Sequence, residues 1–137
     1  MVVTVNRPTD FCCRLDLATG VPAYRQIIDQ ILGAIASGAL QGGDQLPTVR
    51  QLAVDLSVNP NTVVRAYREL EIRGVLTTQQ GIGTFVTAEQ VRPDEAVRQR
   101  QLDQLVSNLL ARAGAAGVTA DEVLVRLQEF IADQRRS

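Results

Sequence analysis

LPTVRQLAVDLSVNPNTVVRAYRELEIRGVLTTQQGIGTFV, from Leu46 to Val86, carries the signals of two short helices and a hairpin with almost no spacer between them. Thr48-Val49-Arg50-Gln51 has the form of a capping box, in which a hydroxyl accepts from an orphan backbone N–H and an amide reaches back, so a helix is expected to start here. Leu52, Ala53 and Leu56 supply its apolar stripe. It should stop near Ser57-Val58, because Asn59-Pro60 follows and the residue before a proline is driven out of the α region. Asn59 is then placed to cap a second helix. Pro60 falls at its first position, where a missing N–H costs nothing and the fixed φ suits the helix.

Helical periodicity gathers Val63, Ala66, Tyr67 and Leu70 on one side of this second helix and Asn61, Thr62, Arg65 and Arg68 on the other. One side packs and the other faces outward. Amide, hydroxyl and guanidinium groups on the outward side, with Asn61 and Thr62 in the first turn, have the chemistry that reads base edges in a major groove. Beyond Gly74, which suits a helix stop, Val75–Gln79 and Thr84–Thr87 are β-prone runs separated by Gln80-Gly81-Ile82-Gly83. The glycines let the backbone turn and approach another surface closely, as a loop entering a minor groove must. A lone amphipathic helix or a lone Gly-x-Gly hairpin would imply nothing about nucleic acid. Helix, turn, helix and hairpin in this succession are the parts of a winged helix-turn-helix, and the succession points to DNA.

From Val21 to Ala88, about half of the chain, these residues resemble the GntR family of bacterial transcriptional regulators. Leu46-Pro47-Thr48, Arg50, Leu52-Ala53, Val58-Asn59-Pro60-Asn61-Thr62-Val63, Arg65-Ala66-Tyr67, Glu69-Leu70-Glu71, Gly74 and Gly81-Ile82-Gly83-Thr84-Phe85-Val86 fall where the family pattern places them. The Asn-Pro-Asn-Thr and Arg-Ala-Tyr variants look most like the YtrA-type subfamily. The resemblance implies that Arg50 and the start of the second helix touch DNA, and that Gly81 lies near the minor groove. Many members carry arginines early in the recognition helix and in the wing, whereas this chain has Pro60 and Val64, and Gln79, Gln80 and Ile82. The expected DNA-binding set is therefore Thr48, Arg50, Asn59, Asn61, Thr62, Arg65, Arg68, Gln80, Gly81 and Gly83. Within it Asn59, Asn61, Thr62 and Arg65 are the candidates for direct readout, and the wing is a weaker electrostatic contact.

A chain of 137 residues, 45% hydrophobic, can bury one modest core and a smaller satellite, so a large catalytic or ligand-binding domain does not fit. The net charge of -1 argues mildly against indiscriminate polyanion binding, although the placement of charge counts for more than its sum. Every basic residue is arginine. There is no histidine, which removes the commonest general base and metal ligand, and no cysteine cluster takes its place. No nucleophile or acid/base constellation is present, so neither an enzyme nor a cofactor nor a metal site is expected. Cys12 and Cys13 are adjacent, a poor geometry for a structural disulfide, and read as free thiols. No window reaches the length of a transmembrane helix and the N-terminus lacks the order of a secretory signal, so a cytoplasmic location and no membrane partner are expected.

Residues 1–20 read as an arm over Met1–Thr9 followed by partial strand character at Phe11–Leu17. Val21-Pro22 leads into a core helix with Tyr24, Ile27, Ile28, Ile31, Leu32 and Ile35 at helical spacing, ending near Ser37-Gly38, and Leu40–Asp44 turns the chain toward Leu46. Residues 21–88 are thus the expected DNA-binding domain and 89–137 a linker, Glu89–Pro93, with a helical module. Its first helix, Asp94–Ala113, shows Leu102, Leu105, Val106, Leu109, Leu110 and Ala113. Its second, Ala120–Arg135, opens on the box Thr119-Ala120-Asp121-Glu122 and shows Val123, Leu124, Leu127, Phe130 and Ile131, with Gly114-Ala115-Ala116-Gly117 as the turn between. A lone helical hairpin has too little core to satisfy both stripes, so a second copy is its natural partner, through Leu102, Leu105, Leu109, Leu124, Leu127 and Ile131. Folding back onto the winged domain is the alternative.

The expected fold is mainly α with a small β-hairpin wing, an N-terminal winged helix-turn-helix followed by a C-terminal two-helix dimerisation hairpin. The expected function is sequence-specific binding of a double-stranded operator by a homodimer, as a repressor that occludes a two-fold symmetric site. Similarity to YtrA-type regulators suggests control of its own operon, often one with ABC-transporter genes. The other reading is a winged-helix protein-interaction module without DNA binding, which salt-dependent binding of upstream DNA would exclude. No motif names a small-molecule effector, and the dimer interface is the one place a cavity for it is expected.

Overall fold

The computed structural model describes residues 11–88 and 94–136, in two units. The first holds the described residues up to 88 and those from Gln134 onward, and the second holds 94–133. A single 3₁₀ turn, Leu17–Thr19, precedes α1 (Ala23–Ser37), α2 (Val49–Leu56) and α3 (Pro60–Ile72). The hairpin β1 (Leu76–Gln79) and β2 (Gly83–Val86) follows, then α4 (Glu95–Ala115) and α5 (Ala120–Arg136).

The helix boundaries are set by local hydrogen bonds that the side chains dictate. Thr48 Oγ1 accepts from the Gln51 N–H at 3.1 Å and Asn59 Oδ1 from the Asn61 N–H at 2.8 Å, each supplying a partner for an orphan donor of a first turn. Between them α2 ends in a Schellman motif, with the Ser57 N–H on the Val54 carbonyl at 3.1 Å and the Val58 N–H on that of Ala53 at 3.0 Å. Ser57 takes the left-handed conformation, φ 55°, that this ending requires, which lets Asn59 start the next helix two residues later. The same motif closes α3 at Gly74, through Gly74 N–H to Glu71 O at 3.0 Å and Val75 N–H to Leu70 O at 2.9 Å.

The core lies where α3 packs on α1, α2 and β1. Ile27, Ile28, Ile31 and Ala34 of α1 meet Leu52 and Ala53 of α2 and Val63, Ala66, Tyr67 and Leu70 of α3, with Leu40, Leu46, Leu76 and Val86 closing the edges. The buried Tyr67 hydroxyl donates to the Pro47 carbonyl at 2.8 Å, and burial, with the Cys13 thiol nearby, raises its pKa, so it stays a donor. Burial pushes the Cys13 thiol up to about 11, with Cys12 adding to the shift. Cys13 is therefore a protonated, free, space-filling group, and Cys12 is free and exposed.

The wing pairs Leu76 with Val86, Thr77 with Phe85, Thr78 with Thr84 and Gln79 with Gly83. Gln45 bridges to Phe85, Leu46 N–H donates to Thr84 O at 2.8 Å and Val86 N–H to Asp44 O at 2.8 Å, so the segment before α2 lies against β2 like a third short strand. Gly83 belongs to β2 rather than to the tip, and the turn is Gln80-Gly81-Ile82, closed by Ile82 N–H to Gln79 O at 3.0 Å.

Phe11–Asp16 is not a strand. Two glutamines of α1 take the place of a neighbouring strand, because a side-chain amide offers the same donor and acceptor as a peptide. Gln30 accepts from the Arg14 N–H at 2.8 Å and donates to the Arg14 carbonyl, while Gln26 accepts from the Asp16 N–H at 2.8 Å and donates to its carbonyl at 2.9 Å. The readings of Met1–Thr9 as an arm and Glu89–Pro93 as a linker lie outside the described residues.

In the second unit α4 runs through Gly114 to Ala115, and the turn is confined to Ala116-Gly117, with Gly117 at φ 76° and Val118 N–H on Ala113 O at 2.8 Å. A reciprocal capping box starts α5: the Glu122 N–H donates to Thr119 Oγ1 at 3.2 Å, and Glu122 Oε1 accepts the Thr119 N–H at 3.3 Å. Of the apolar stripes only Ala113 is buried. Leu102, Leu105, Leu109, Leu124 and Leu127 are exposed, Leu105 by 67%, and Ile131 is partly covered. Within the first unit, Arg135 Nε donates to the Ser37 carbonyl at 2.8 Å. Among the described residues no helix is long and apolar enough to cross a membrane.

Removing the Tyr67 hydroxyl leaves a buried carbonyl without its donor, so Tyr67→Phe should lower unfolding stability by about 1–3 kcal/mol and Tyr67→Ala by about 3–5 kcal/mol. Urea denaturation followed by circular dichroism measures both. A Tyr67→Phe midpoint equal to the parent's would show that the bond contributes nothing.

Candidate nucleic-acid interface

The burial of Val63, Ala66, Tyr67 and Leu70 turns the opposite side of α3 to solvent. Asn61, Arg65 and Arg68 fall on that side at successive turns and are exposed, and Thr62 is half-buried beside them. Asn59 is exposed, but its Oδ1 is committed to the helix cap, which leaves its amide N–H₂ as the group that can reach outward. Thr48 is likewise exposed with its oxygen in the cap of α2, and Arg50 is exposed in the first turn of that helix. Because α2 and α3 pack directly, these groups belong to one two-helix frame.

Arg65 has surroundings that its helical phase alone does not reveal. Its guanidinium carbon lies 3.7 Å from the centroid of the Tyr24 ring, and its Nε is 3.9 Å from Glu69 Oε1. The Glu69 pair is one helical turn apart and open to solvent on the Arg65 side, where the side chain is 60% exposed, so it contributes little. Tyr24 is half-buried on α1, in the apolar stripe where sequence placed it, yet its ring also forms a platform for the arginine. Nothing local in sequence connects two residues so far apart.

At the wing, Gln80, Gly81 and Ile82 are exposed, and no charged residue occurs from Leu76 to Val86. Gln45 Nε2 donates to the Ile82 carbonyl at 3.2 Å and so holds the tip. Gly83 makes room for it: a Cβ there would stand 2.5 Å from Gln45 Nε2, and φ is 147°. The glycine expected at the tip thus serves the packing of the hairpin, and Gln45, which follows the turn Leu40–Asp44 and belongs to no sequence motif, is a residue that sequence reasoning missed. Thr77 and Thr87 share a hydrogen bond at 3.0 Å across the hairpin, and Thr78 donates to Glu71, which fastens β1 to the last turn of α3.

Three packed helices with a tight turn between the second and third, followed by a paired hairpin, define the winged helix-turn-helix class. Residues 23–86 match the family described as bacterial regulatory proteins, gntR family. Over 120 residues the chain is 32% identical to the HTH-type transcriptional repressor YtrA of Bacillus subtilis (strain 168), spanning 88% of this chain and 92% of that protein. Among solved structures, a transcriptional regulator from Oenococcus oeni superposes with a TM-score of 0.54 at 31% identity, covering 96% of this chain and 97% of that one. YtrA from Sulfolobus acidocaldarius, a GntR-family transcription factor, does so with a TM-score of 0.53 at 36% identity, covering 70% and 94%. The chain belongs to the GntR family and is a DNA-binding transcriptional regulator.

Gly83→Ala should displace Gln45 or open the hairpin, lowering stability by roughly 1–3 kcal/mol. Thermal denaturation reads the loss, and Gln45→Ala in the same background should relieve part of it by vacating the space. A melting temperature unchanged by Gly83→Ala would show that the close approach is not a constraint.

Proposed function

We propose that this protein is a repressor that binds an inverted-repeat operator as a homodimer and acts by occlusion. The observation that carries the reading is the polar stripe Asn61, Arg65 and Arg68, exposed along α3 opposite its fully buried face. In this reading Asn59, Asn61, Thr62 and Arg65 meet base edges in the major groove, while Thr48, Arg50 and Arg68 hold phosphates. Gln80 and Gly81 lie at the minor groove, and Gly83 keeps the wing in shape for them. The naming of the Bacillus subtilis relative as a repressor supports the direction of control. The proposal extends, on the resemblance of the sequence motifs to YtrA-type regulators alone, to an operator upstream of the protein's own operon and to ABC-transporter genes among its targets.

The dimer is supported by the open leucines of the second unit. Leu102, Leu105, Leu109, Leu124 and Leu127 are exposed in a single chain, and burying each large apolar side chain is worth about 1.5–3 kcal/mol. A second protomer provides that burial and brings a second α3 to the operator. Linking two half-site contacts raises overall affinity by about 10² to 10⁴, with half-sites about 10 base pairs apart, centre to centre, or a multiple of that.

Titrating the upstream DNA with protein over a range of salt tests the reading. Affinity should fall steeply as salt rises, because phosphate neutralisation releases counterions whatever the net charge of the protein. Arg65→Ala should weaken operator binding by on the order of 1–3 kcal/mol with the fold intact. A flat dependence on salt would instead favour a winged-helix module that binds protein. Leu109→Glu combined with Leu127→Glu should yield a monomer by light scattering and a large loss of operator affinity, while the winged unit keeps its thermal transition. A variant that still dimerises would place the interface elsewhere.

A further inference from the structure

We infer that Tyr24 is a positioning residue for DNA recognition, its ring holding the Arg65 guanidinium ready for the operator. The inference rests on the reading that Arg65 touches double-stranded DNA. The guanidinium carbon stands 3.7 Å from the ring centroid, well inside the reach of a cation–π contact. Both ends of the contact sit on packed elements, since α1 and α3 join through Ile27, Ile28 and Ile31 on one side and Ala66 and Leu70 on the other. Tyr24 is in the first turn of α1 and half-buried, so its ring is a fixed surface rather than a mobile one.

An unbraced arginine on an exposed helix face loses considerable rotamer freedom when it binds, and the ring removes part of that loss beforehand. Stacking uses the flat face of the guanidinium. The in-plane N–H donors, which recognise guanine or phosphate, stay available. Glu69 Oε1 approaches Nε at 3.9 Å, beyond hydrogen-bond distance, and restrains that side without occupying the Nη groups. The arginine side chain remains 60% exposed, as a donor waiting for a partner must. Tyr24 shares its stripe with Ile27, Ile28 and Ile31 and packs against the same core, so one ring serves both the core below it and the arginine above it.

The test uses the full chain and the native upstream DNA, at one fixed salt concentration, with the parent, Tyr24→Phe, Tyr24→Leu, Arg65→Ala and the Tyr24→Leu/Arg65→Ala double variant. Tyr24→Phe keeps the ring and should bind like the parent, whereas Tyr24→Leu should lose about 2- to 5-fold. The double variant should bind no more weakly than Arg65→Ala alone, since Tyr24 acts through Arg65. Arg65→Lys, which keeps the charge but loses the planar stack, should be less sensitive to Tyr24→Leu than the parent arginine is. Without DNA, the Arg65 Nε–H resonance should carry the upfield ring-current shift in the parent and in Tyr24→Phe, and lose it in Tyr24→Leu.

Tyr24→Phe binding as weakly as Tyr24→Leu would put the phenol hydroxyl, not the ring, in contact with DNA and overturn the inference. Additive losses in the double variant, or parental affinity for Tyr24→Leu, would overturn it as well. If Arg65→Ala binds like the parent, the assignment of Arg65 to DNA fails, and this inference falls with it. An Arg65→Ala loss without any effect of Tyr24→Leu sinks the inference alone.

Discussion

The hydrogen bond from the Tyr67 hydroxyl to the Pro47 carbonyl joins α3 to the residue that precedes the cap of α2, at 2.8 Å in the middle of the core. A buried carbonyl there would be costly without a donor, and only one rotation of α3 about its axis brings the ring into place. That rotation sends Val63, Ala66 and Leu70 inward with the ring, against α1, α2 and β1. Asn61, Arg65 and Arg68 are consequently aimed by packing they take no part in. The same rotation lays Arg65 over Tyr24, so the outward polar face of α3 and the ring beneath one of its members follow from a single constraint.

What sequence makes legible here is what the chain decides within one turn of itself. Thr48, Asn59 and Thr119 cap their helices through neighbours two or three residues away, and each of those starts was readable from residue type and spacing. Gly74 and the stripe of α3 were readable for the same reason. Tyr24 and Arg65 meet across two helices, and no local rule gives the angle at which helices pack. Gln26 and Gln30 look like solvent-facing helix residues, yet they serve as the ladder for Arg14 and Asp16, which is why Phe11–Asp16 lacks the strand its composition suggests. Gly-x-Gly favours turns and so suggests a tip position for Gly83, whereas its constraint is the side chain of Gln45, distant in sequence. Gly114 suggests a turn directly after Ala113, but it is tolerated inside a helix that runs to Ala115 and whose end is fixed by Gly117.

A net charge of -1 in a DNA-binding protein puts weight on placement. The hairpin carries no charge from Leu76 to Val86, so the arginines of α2 and α3 have no cation of the wing beside them, and Glu69 and Glu71 stand among them. Glu71 is engaged by Thr78 and Glu69 lies near Arg65 Nε, positions that tie each carboxylate to a structural neighbour. With few arginines available, each one that is pre-oriented counts for more than it would on a densely basic surface. Bracing by a neutral ring achieves this without adding a further charge to the helix.

Burial is distributed very unequally between the two units. The winged unit closes its own core, with Ile27, Ile28, Ile31, Val63 and Leu70 fully buried, whereas α4 and α5 bury Ala113 alone among their apolar residues. Helices gain most of their stability from packing an apolar face rather than from intrinsic propensity. The reciprocal box at Thr119 and Glu122 and the ending at Gly117 fix where α4 and α5 stop and start, but they cannot offset the exposure of six leucines. In the proposed dimer, then, the partner supplies the packing that stabilises these helices as well as the second half-site contact. Under that proposal the order of the second unit, unlike that of the first, would depend on protomer concentration, and gain of that order and gain of operator affinity would be the same event.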